Sequence, residues 1–170
     1  LARDLEKQRQ NLLSVQHPIA VILGCIDSRV PSELIFDLGL GDVFNIRVAG
    51  NILNDDVLGS LEFACKIVGA KLIVIMGHTD CGAIRAACNG VRMEHISSIM
   101  EKIDPVVQST PKNENVEEFL LEVTHQNTVL VKNEISKRSK ILKEMQESGA
   151  IAIVNAVYHI KSGIVEFDEN

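Results

Sequence analysis

The 170-residue sequence contains no tryptophan, one tyrosine and only four cysteines. So few cysteines do not make a disulfide scaffold, and a chain of this length can bury a core without one. The thiols are therefore expected to be free, in a reducing compartment, for metal binding or catalysis. The sequence also has no Cys-x-x-Cys pair, which argues against a thioredoxin-like redox site.

The charged residues lack a bias toward one sign in any region. The net charge is −6, and acidic and basic side chains are mixed along the chain without a basic stripe. A nucleic-acid partner or an anionic membrane surface is therefore not expected. No apolar run reaches the roughly 18 residues of a membrane span, and the N-terminus lacks an apolar signal segment. We expect a soluble, cytoplasmic protein with no membrane partner.

Short apolar runs alternate with longer amphipathic segments along the chain. The predicted strands are Ile19–Leu23, Val43–Val48, Lys71–Met76, Ala150–Val157 and Ile164–Phe167. Helices are predicted to begin at Pro31 and to cover 55–68, 82–88, 94–103, 116–132 and 134–147, with Pro105 following the helix over 94–103. Apolar strands that alternate with helices indicate an α/β fold, with a mainly parallel β-sheet flanked by helices. Residues 1–18 are predicted to form an N-terminal helical arm, and 19–170 a single domain.

Two clusters of reactive side chains follow the first and the third predicted strands. Cys25 and Asp27 are two positions apart in the segment that ends at Arg29, so in extended chain both can face one site. His78 and Cys81 are three positions apart at a predicted strand-to-helix turn, where both can converge on one ion. Because sites in parallel sheets form beyond the carboxyl ends of the strands, the two clusters are expected to share one sheet edge.

Two sulfurs, an imidazole nitrogen and a carboxylate form a suitable donor set for tetrahedral zinc. Cys25, His78 and Cys81 are the predicted firm ligands, which makes 19–170 a zinc-binding catalytic domain. If Asp27 pairs with Arg29, the fourth position is open to a water whose pKa the metal lowers to about 7. If Asp27 turns to the metal, water is excluded, and the sequence leaves both arrangements open.

The remaining cysteines and histidines have ordinary interpretations. A lone buried cysteine is most often a packing residue, and a lone histidine most often makes surface or core hydrogen bonds. We interpret six residues in this way: Cys65, Cys88, His17, His95, His125 and His159.

At the two reactive clusters the sequence resembles the β-class carbonic anhydrases. The matching segments are CIDSRVPSEL, IRVAGNI and VIMGHTDCGAI, and the likeness runs from about Gln16 to Cys88, with a weaker one over 150–167. The resemblance implies reversible hydration of CO2 to bicarbonate and a proton by attack of zinc-bound hydroxide. It implies that zinc is held by Cys25, His78 and Cys81, with Asp27 either the fourth ligand or, paired with Arg29, the catalytic carboxylate.

The resemblance also implies a substrate pocket and an oligomer. The positions that match the family's substrate-binding residues are Gln16, Phe44, Ala49, Phe63 and Gly82. In the family these walls come from two chains, so a homodimer or a tetramer of dimers is implied. The N-terminal arm would then wrap around the partner subunit.

A regulatory site of the family is expected to be absent or weakened here. Some bacterial members hold a second, inhibitory bicarbonate between a tryptophan, an arginine and a tyrosine. Arg47 and Tyr158 match two of these positions, but Ile22 stands where the tryptophan would be. Arg47 is therefore expected to pair with an acidic residue or a carbonyl instead.

Two other functions fit the same residues. One is hydrolysis of carbon disulfide or carbonyl sulfide at the same site, which differs in access to the pocket. The other is a non-catalytic zinc-binding regulatory module in which Asp27 stays on the metal. Arg29 argues against the module, since a purely structural site has no need of a partner that draws Asp27 away.

Overall fold

A computed structural model of the protein describes residues 4–168, and five strands form one sheet. The strands are β1 Ala20–Gly24, β2 Val43–Arg47, β3 Leu72–His78, β4 Ala152–His159 and β5 Ile164–Phe167. Their order is β2-β1-β3-β4-β5, with β1 to β4 parallel and β5 antiparallel to β4. This confirms the predicted α/β fold with a mainly parallel sheet.

Seven α-helices accompany the sheet within the described residues. They are α1 Leu5–Asn11, α2 Ser32–Ile35, α3 Asp55–Glu62, α4 Gly82–Cys88, α5 Glu94–Ser109, α6 Val116–Arg138 and α7 Lys140–Glu147. A π-helical segment, Phe63–Val68, continues α3, and a short 3-10 helix covers Ala49–Asn51. The predicted helix over 55–68 therefore consists of α3 and its π-helical continuation.

Both faces of the central strands are buried, as expected for a parallel sheet between helices. The buried side chains on one face are Val21, Leu23, Ile73 and Ile75, and those on the other are Ile22, Val74 and Met76. The first set packs in one cluster with residues of α3, α6 and α7. Because both faces are covered, β1 and β3 up to Gly77 are apolar rather than alternating.

Strand β3 is longer than the sequence predicted, and this extension carries His78. The apolar run suggested an end at Met76, but Gly77 and His78 continue the ladder opposite Val157 and Tyr158 of β4. His78 is therefore the last residue of a strand and not a loop residue, so its backbone is fixed by the sheet.

Gly77 lets α6 lie directly on β3 beside the end of that strand. A Cβ at Gly77 would come within 2.8 Å of the Thr124 methyl carbon and 3.1 Å of that of Thr128. Both threonines are buried, and their hydroxyls donate to carbonyl oxygens of α6 itself. The close approach leaves no room for a side chain at position 77.

The predicted helix boundaries at Pro105 and near residue 133 were wrong. The fourth predicted helix was expected to end before Pro105, but α5 continues through it to Ser109. Pro105 is exposed, so water can replace the hydrogen bond that its missing amide cannot make. The break predicted near residue 133 lies at Ser139, whose Oγ accepts from the Leu142 amide at 3.1 Å and caps α7.

The N-terminal helix is shorter than the predicted arm. Helix α1 ends at Asn11 instead of continuing through the predicted arm to residue 18, and it has no buried residue. Gln8 accepts a hydrogen bond from the Leu40 amide at 3.3 Å, and Leu12 lies against Gly41, so this segment contacts its own domain. Residues 1–3 of the predicted arm lie outside the described residues.

Among the helices of 4–168, none combines the length and the apolar character needed to cross a membrane.

Candidate metal centre

Three potential metal ligands meet beyond the carboxyl ends of the two central strands. Cys25 directly follows β1, His78 ends β3, and Cys81 is the residue before the first turn of α4. Their ligand atoms all lie within 4.8 Å of one another, and the two Sγ atoms are 3.9 Å apart. All three residues are at least 96% buried, with exposed fractions of 4%, 1% and 4%. The structure thus brings together the three residues that the sequence predicted as firm ligands.

The hydrogen bond at one nitrogen of His78 leaves the other free for a metal. Nδ1 lies 2.8 Å from the carbonyl oxygen of Thr79, and because a carbonyl only accepts, Nδ1 carries the proton. Nε2 then presents a lone pair, yet it is buried without a hydrogen-bond partner among the described residues. A buried nitrogen of this kind is costly unless something satisfies it, and a metal ion between the two sulfurs would do so.

The two thiols of the centre favour release of a proton. A hydrogen bond with the Cys81 thiol lowers the pKa of Cys25 to about 4, and backbone hydrogen bonds from Asp27 and Gly50 add to this. The pKa of Cys81 is raised, because its thiol bonds to Cys25 and because it is buried. The pair therefore loses its first proton easily and its second only when a cation offsets the charge. Together with the His78 lone pair, this donor set fits zinc.

Asp27 lies beside the three ligands but is turned away toward Arg29. The Arg29 side chain donates from Nε to one carboxylate oxygen at 3.0 Å and from Nη2 to the other at 2.8 Å. The Arg29 amide also donates to Asp27 at 2.9 Å, and Nη2 reaches the Asp80 carbonyl at 3.2 Å. These bonds to Arg29 lower the pKa of Asp27 to about 2, so its carboxylate is charged at neutral pH. Of the two arrangements left open by the sequence, the structure has the one with Asp27 on Arg29.

Arg47 supports the loop that carries Cys25 and Asp27. Its Nε donates to the Cys25 carbonyl at 2.8 Å, and its Nη2 donates to the Asp27 carbonyl. The expectation that Arg47 pairs with a carbonyl is therefore confirmed. The absence of a regulatory bicarbonate site at this position stays a prediction.

The five predicted substrate-binding residues do not lie together in the single chain. Phe44 and Phe63 line a cavity of about 410 Å³ between β2 and α3, which none of the three ligands lines. Ala49 is the first residue of the 3-10 helix, and Gly50, which follows it, donates to the Cys25 sulfur. Gly82 directly follows the ligand Cys81. The fifth residue, Gln16, is exposed in the segment before β1.

The other cysteines and histidines lie outside the centre. Burial raises the pKa of Cys65 to about 11 and also raises that of Cys88, so neither thiol is activated. His125 pairs with Asp168 at 2.8 Å and His159 with Glu166 at 2.9 Å. His17 and His95 are exposed. These positions agree with the ordinary packing and surface interpretations.

Sequence reasoning missed two contacts that support the ligands. The Gly50 amide donates to the Cys25 sulfur at 3.4 Å, and the Asn127 side chain donates to the Gly50 carbonyl at 2.9 Å. Gly50 lies inside the matching segment IRVAGNI, which could have drawn attention to it. Asn127 has no comparable signal, because it is one of many polar residues in a long helix.

The fold and the donor set define a class of protein: an α/β metalloprotein with a buried Cys-His-Cys site and an adjacent aspartate–arginine pair. Comparison with known proteins narrows this class to one family. The family model described as carbonic anhydrase matches residues 20–165. The chain belongs to the β-class carbonic anhydrase family, whose members use zinc.

Related sequences and structures agree with this assignment. The chain is 36% identical over 167 residues to a carbonic anhydrase of Mycolicibacterium smegmatis, covering 94% of this chain and 79% of the relative. It is 35% identical over 162 residues to carbonic anhydrase 2 of Mycobacterium tuberculosis, covering 91% and 76%.

Among solved structures, the β-carbonic anhydrase CafA of Aspergillus fumigatus is similar, with a TM-score of 0.84 and 26% identity over 96% of this chain and 81% of that one. A structure from Sordaria macrospora, described as a tetrameric β-carbonic anhydrase, has a TM-score of 0.86 at 20% identity. It covers 95% of this chain and 87% of that one, and it supports the fold alone.

Proposed function

We propose that this chain catalyses the reversible hydration of CO2 to bicarbonate and a proton, with Cys25, His78 and Cys81 holding zinc. The observation that carries the proposal is the buried cluster of two thiols and an unpartnered imidazole nitrogen, with a carboxylate held beside it by an arginine. When bound there, zinc supplies the Lewis acidity that lowers the pKa of water to about 7.

His78 is prepared for this role by the strand and by Thr79. The hydrogen bond to the Thr79 carbonyl fixes both the ring orientation and the tautomer, so that Nε2 faces the two sulfurs as a lone-pair donor. Cys25 and Cys81 bring the negative charge that a divalent cation requires in a buried site. The three ligands therefore need little rearrangement to receive the metal.

In our proposal Asp27 orients the nucleophile and does not bind the metal. Its carboxylate is charged; one oxygen accepts from both the amide and Nε of Arg29, whereas the other accepts only from Nη2 and retains a further lone pair. The Asp27 carboxylate can accept a hydrogen bond from the attacking oxygen. This contact would direct the remaining lone pair of that oxygen toward the carbon of CO2. Arg29 keeps Asp27 in this position, and its bond to the Asp80 carbonyl ties both to the Cys81 loop. This pairing of Asp27 with Arg29 supports the catalytic role over a non-catalytic module in which Asp27 stays on the metal.

We further propose that a second copy of the chain completes the substrate pocket. Phe63 is 54% exposed and Ile67 is 70% exposed along the surface next to the cavity that Phe44 lines, an apolar surface that a partner could cover. In this proposal Gln16, Phe44, Ala49, Phe63 and Gly82 form the pocket walls in a dimer or a tetramer of dimers.

The cytoplasmic location stays a prediction from the unpaired cysteines.

Stopped-flow measurement of CO2 hydration by the zinc-loaded protein, across pH 6.5 to 9, tests the activity. We expect fast hydration that rises with pH through the range in which zinc-coordinated water ionises. Carbon disulfide and carbonyl sulfide, tested on the same preparation, are expected to react much more slowly. Absence of hydration with a full complement of zinc would contradict the proposal, and turnover of either sulfur compound would redirect it.

A further inference from the structure

We propose that Asn127, in the middle of α6, is a positioning residue for the zinc ligand Cys25 and that it acts through Gly50. The Asn127 side chain donates from Nδ2 to the Gly50 carbonyl at 2.9 Å. The Gly50 amide in turn donates to the Cys25 sulfur at 3.4 Å. A helix distant in sequence from every ligand is thus connected to the metal centre by two hydrogen bonds.

Gly50 is held in a conformation that few other residues could adopt. Its φ is +67°, in the left-handed region, and a Cβ at this position would come within 2.9 Å of the Ile103 Cδ1 atom and 3.3 Å of the Ala83 Cβ atom. Helices α4 and α5 therefore confine Gly50 from one side while Asn127 holds its carbonyl. The orientation of the Gly50 amide toward sulfur follows from these restraints.

A packing role alone does not account for an asparagine at position 127. The residue is 1% exposed, it shares a groove with the apolar side chains of Leu53, Leu130 and Val131, and its Oδ1 atom has no hydrogen-bond partner among the described residues. A buried amide with one unsatisfied oxygen costs stability, so packing alone gives no reason for an asparagine here. The bond to Gly50 is the benefit that the structure shows for keeping the amide.

The contact acts on the metal through the sulfur. An N–H group that donates to a thiolate fixes the side-chain orientation and draws charge from the sulfur, which makes the bound metal more electrophilic. Outer partners of metal ligands typically change metal affinity by about 10- to 100-fold when they are removed. We expect an effect of this size from Asn127.

Asn127→Leu removes the donor while keeping the number and branching of the side-chain heavy atoms, and Asn155→Leu is the matched control. Asn155 is also a buried asparagine with an unsatisfied Oδ1, but it donates to Asp168 at 3.1 Å and not toward the centre. Three quantities are measured for each variant: the zinc dissociation constant by chelator competition, the thiolate-to-metal charge-transfer energy of the cobalt-substituted protein, and the urea midpoint of the metal-free protein.

We expect Asn127→Leu to weaken zinc binding by about 10- to 100-fold and to shift the charge-transfer band. Asn155→Leu should leave the band unchanged and zinc affinity within about twofold, whatever it does to the urea midpoint. An unshifted band in Asn127→Leu, or equal loss of affinity in both variants, would overturn the proposal and leave Asn127 a structural residue.

A measurement on the unaltered protein keeps the test valid if Asn127→Leu does not fold. In cadmium-113-substituted protein, the Gly50 amide proton is expected to show scalar coupling to the metal through the hydrogen bond to Cys25; no coupling would count against the proposal. The inference rests on Cys25 being a zinc ligand, as the proposed function requires. If the unaltered protein does not bind zinc, the proposed function is refuted. If it binds zinc but the charge-transfer band of Asn127→Leu is unshifted, only the role of Asn127 is refuted.

Discussion

The metal centre and the cavity between β2 and α3 use the same sheet in different ways. The centre takes its ligands from the ends of β1 and β3, two neighbouring central strands, and every ligand is buried. The cavity is built on β2, the strand at the edge of the sheet, and one of its walls, Phe63, is more than half exposed. The geometry of the centre is thus set within one chain, whereas the cavity borders a surface open to a partner.

Among the variants of the two regions, His78→Ala should cause the largest loss of zinc and of CO2 hydration. The change removes one of three ligands and leaves two thiols that cannot hold zinc in a tetrahedral site by themselves. We expect zinc content near zero and at least about a 1,000-fold loss of CO2 hydration, well beyond the 10- to 100-fold typical of outer partners. Metal analysis and stopped-flow kinetics measure both; a variant that keeps full zinc would contradict the assignment of ligands.

Asp27→Asn should separate catalysis from metal binding inside the centre. The amide cannot accept from Arg29 at both positions, and it is a poorer acceptor for the nucleophile than a carboxylate. We expect hydration to fall by about 100-fold, a size typical for loss of one oriented electrostatic contact, with zinc content unchanged. Loss of zinc together with activity would show that Asp27 serves the metal site and not the reaction.

Two glycine substitutions should change the stability of the protein in opposite directions. Gly77→Ala forces a methyl group against Thr124 and Thr128 beside the centre, and such overpacking costs about 1–3 kcal/mol. Gly59→Ala, in α3 beside the cavity, meets open space and gains about 1 kcal/mol of helix propensity. Urea unfolding of both variants measures the difference. Equal destabilisation would show that α6 does not pack on β3 as described.

The pH dependence of stability tests the state of Asp27. Its pKa is lowered from 3.8 to about 2, so its contribution to folding is complete above the unfolded value and is lost as pH falls toward 2. The difference in unfolding free energy between the protein and Asp27→Asn should therefore be constant above about pH 5 and shrink below 3.8. A difference that changes between pH 6 and 8 would mean that Asp27 titrates there and that Arg29 does not hold it.

Phe63→Ala should have the smallest effect on the metal centre. The residue lies outside the three-ligand cluster, so zinc affinity is expected to stay within about twofold. If a second copy completes the pocket, the variant should dissociate more easily and lose hydration in proportion to the monomer fraction, which analytical ultracentrifugation measures. Unchanged association and activity would remove Phe63 from the pocket walls.

The sequence predicted the centre better than its surroundings, and the physical reason is the range of the interactions. Cys25 follows an apolar strand directly, and His78 and Cys81 follow another, so the rule that parallel strands end at one edge was sufficient to bring them together. The end of β3 was misplaced, because Gly77 usually interrupts a strand but here permits the close approach of α6.

The residues that sequence reasoning missed depend on contacts between distant segments. Asn127 and Gly50 are 77 positions apart, and no local pattern reveals a hydrogen bond between them. The cap at Ser139 was visible as a serine before a helix, yet the helical pattern on both sides of it hid the break. The substrate-binding roles of Gln16, Phe44, Ala49, Phe63 and Gly82 stay predictions, because they depend on the association of two chains.

The order of the strands determines when during folding the metal can be captured. Cys25 and His78 are 53 positions apart in the sequence, and β2 lies between them along the chain but on the far side of β1 in the sheet. A chain that has formed only the β1–β2 pair offers a single cysteine. The complete ligand set exists once β3 has docked on the opposite side of β1, so full zinc coordination follows that pairing. After that step the ion acts as a cross-link that opposes separation of the two central strands.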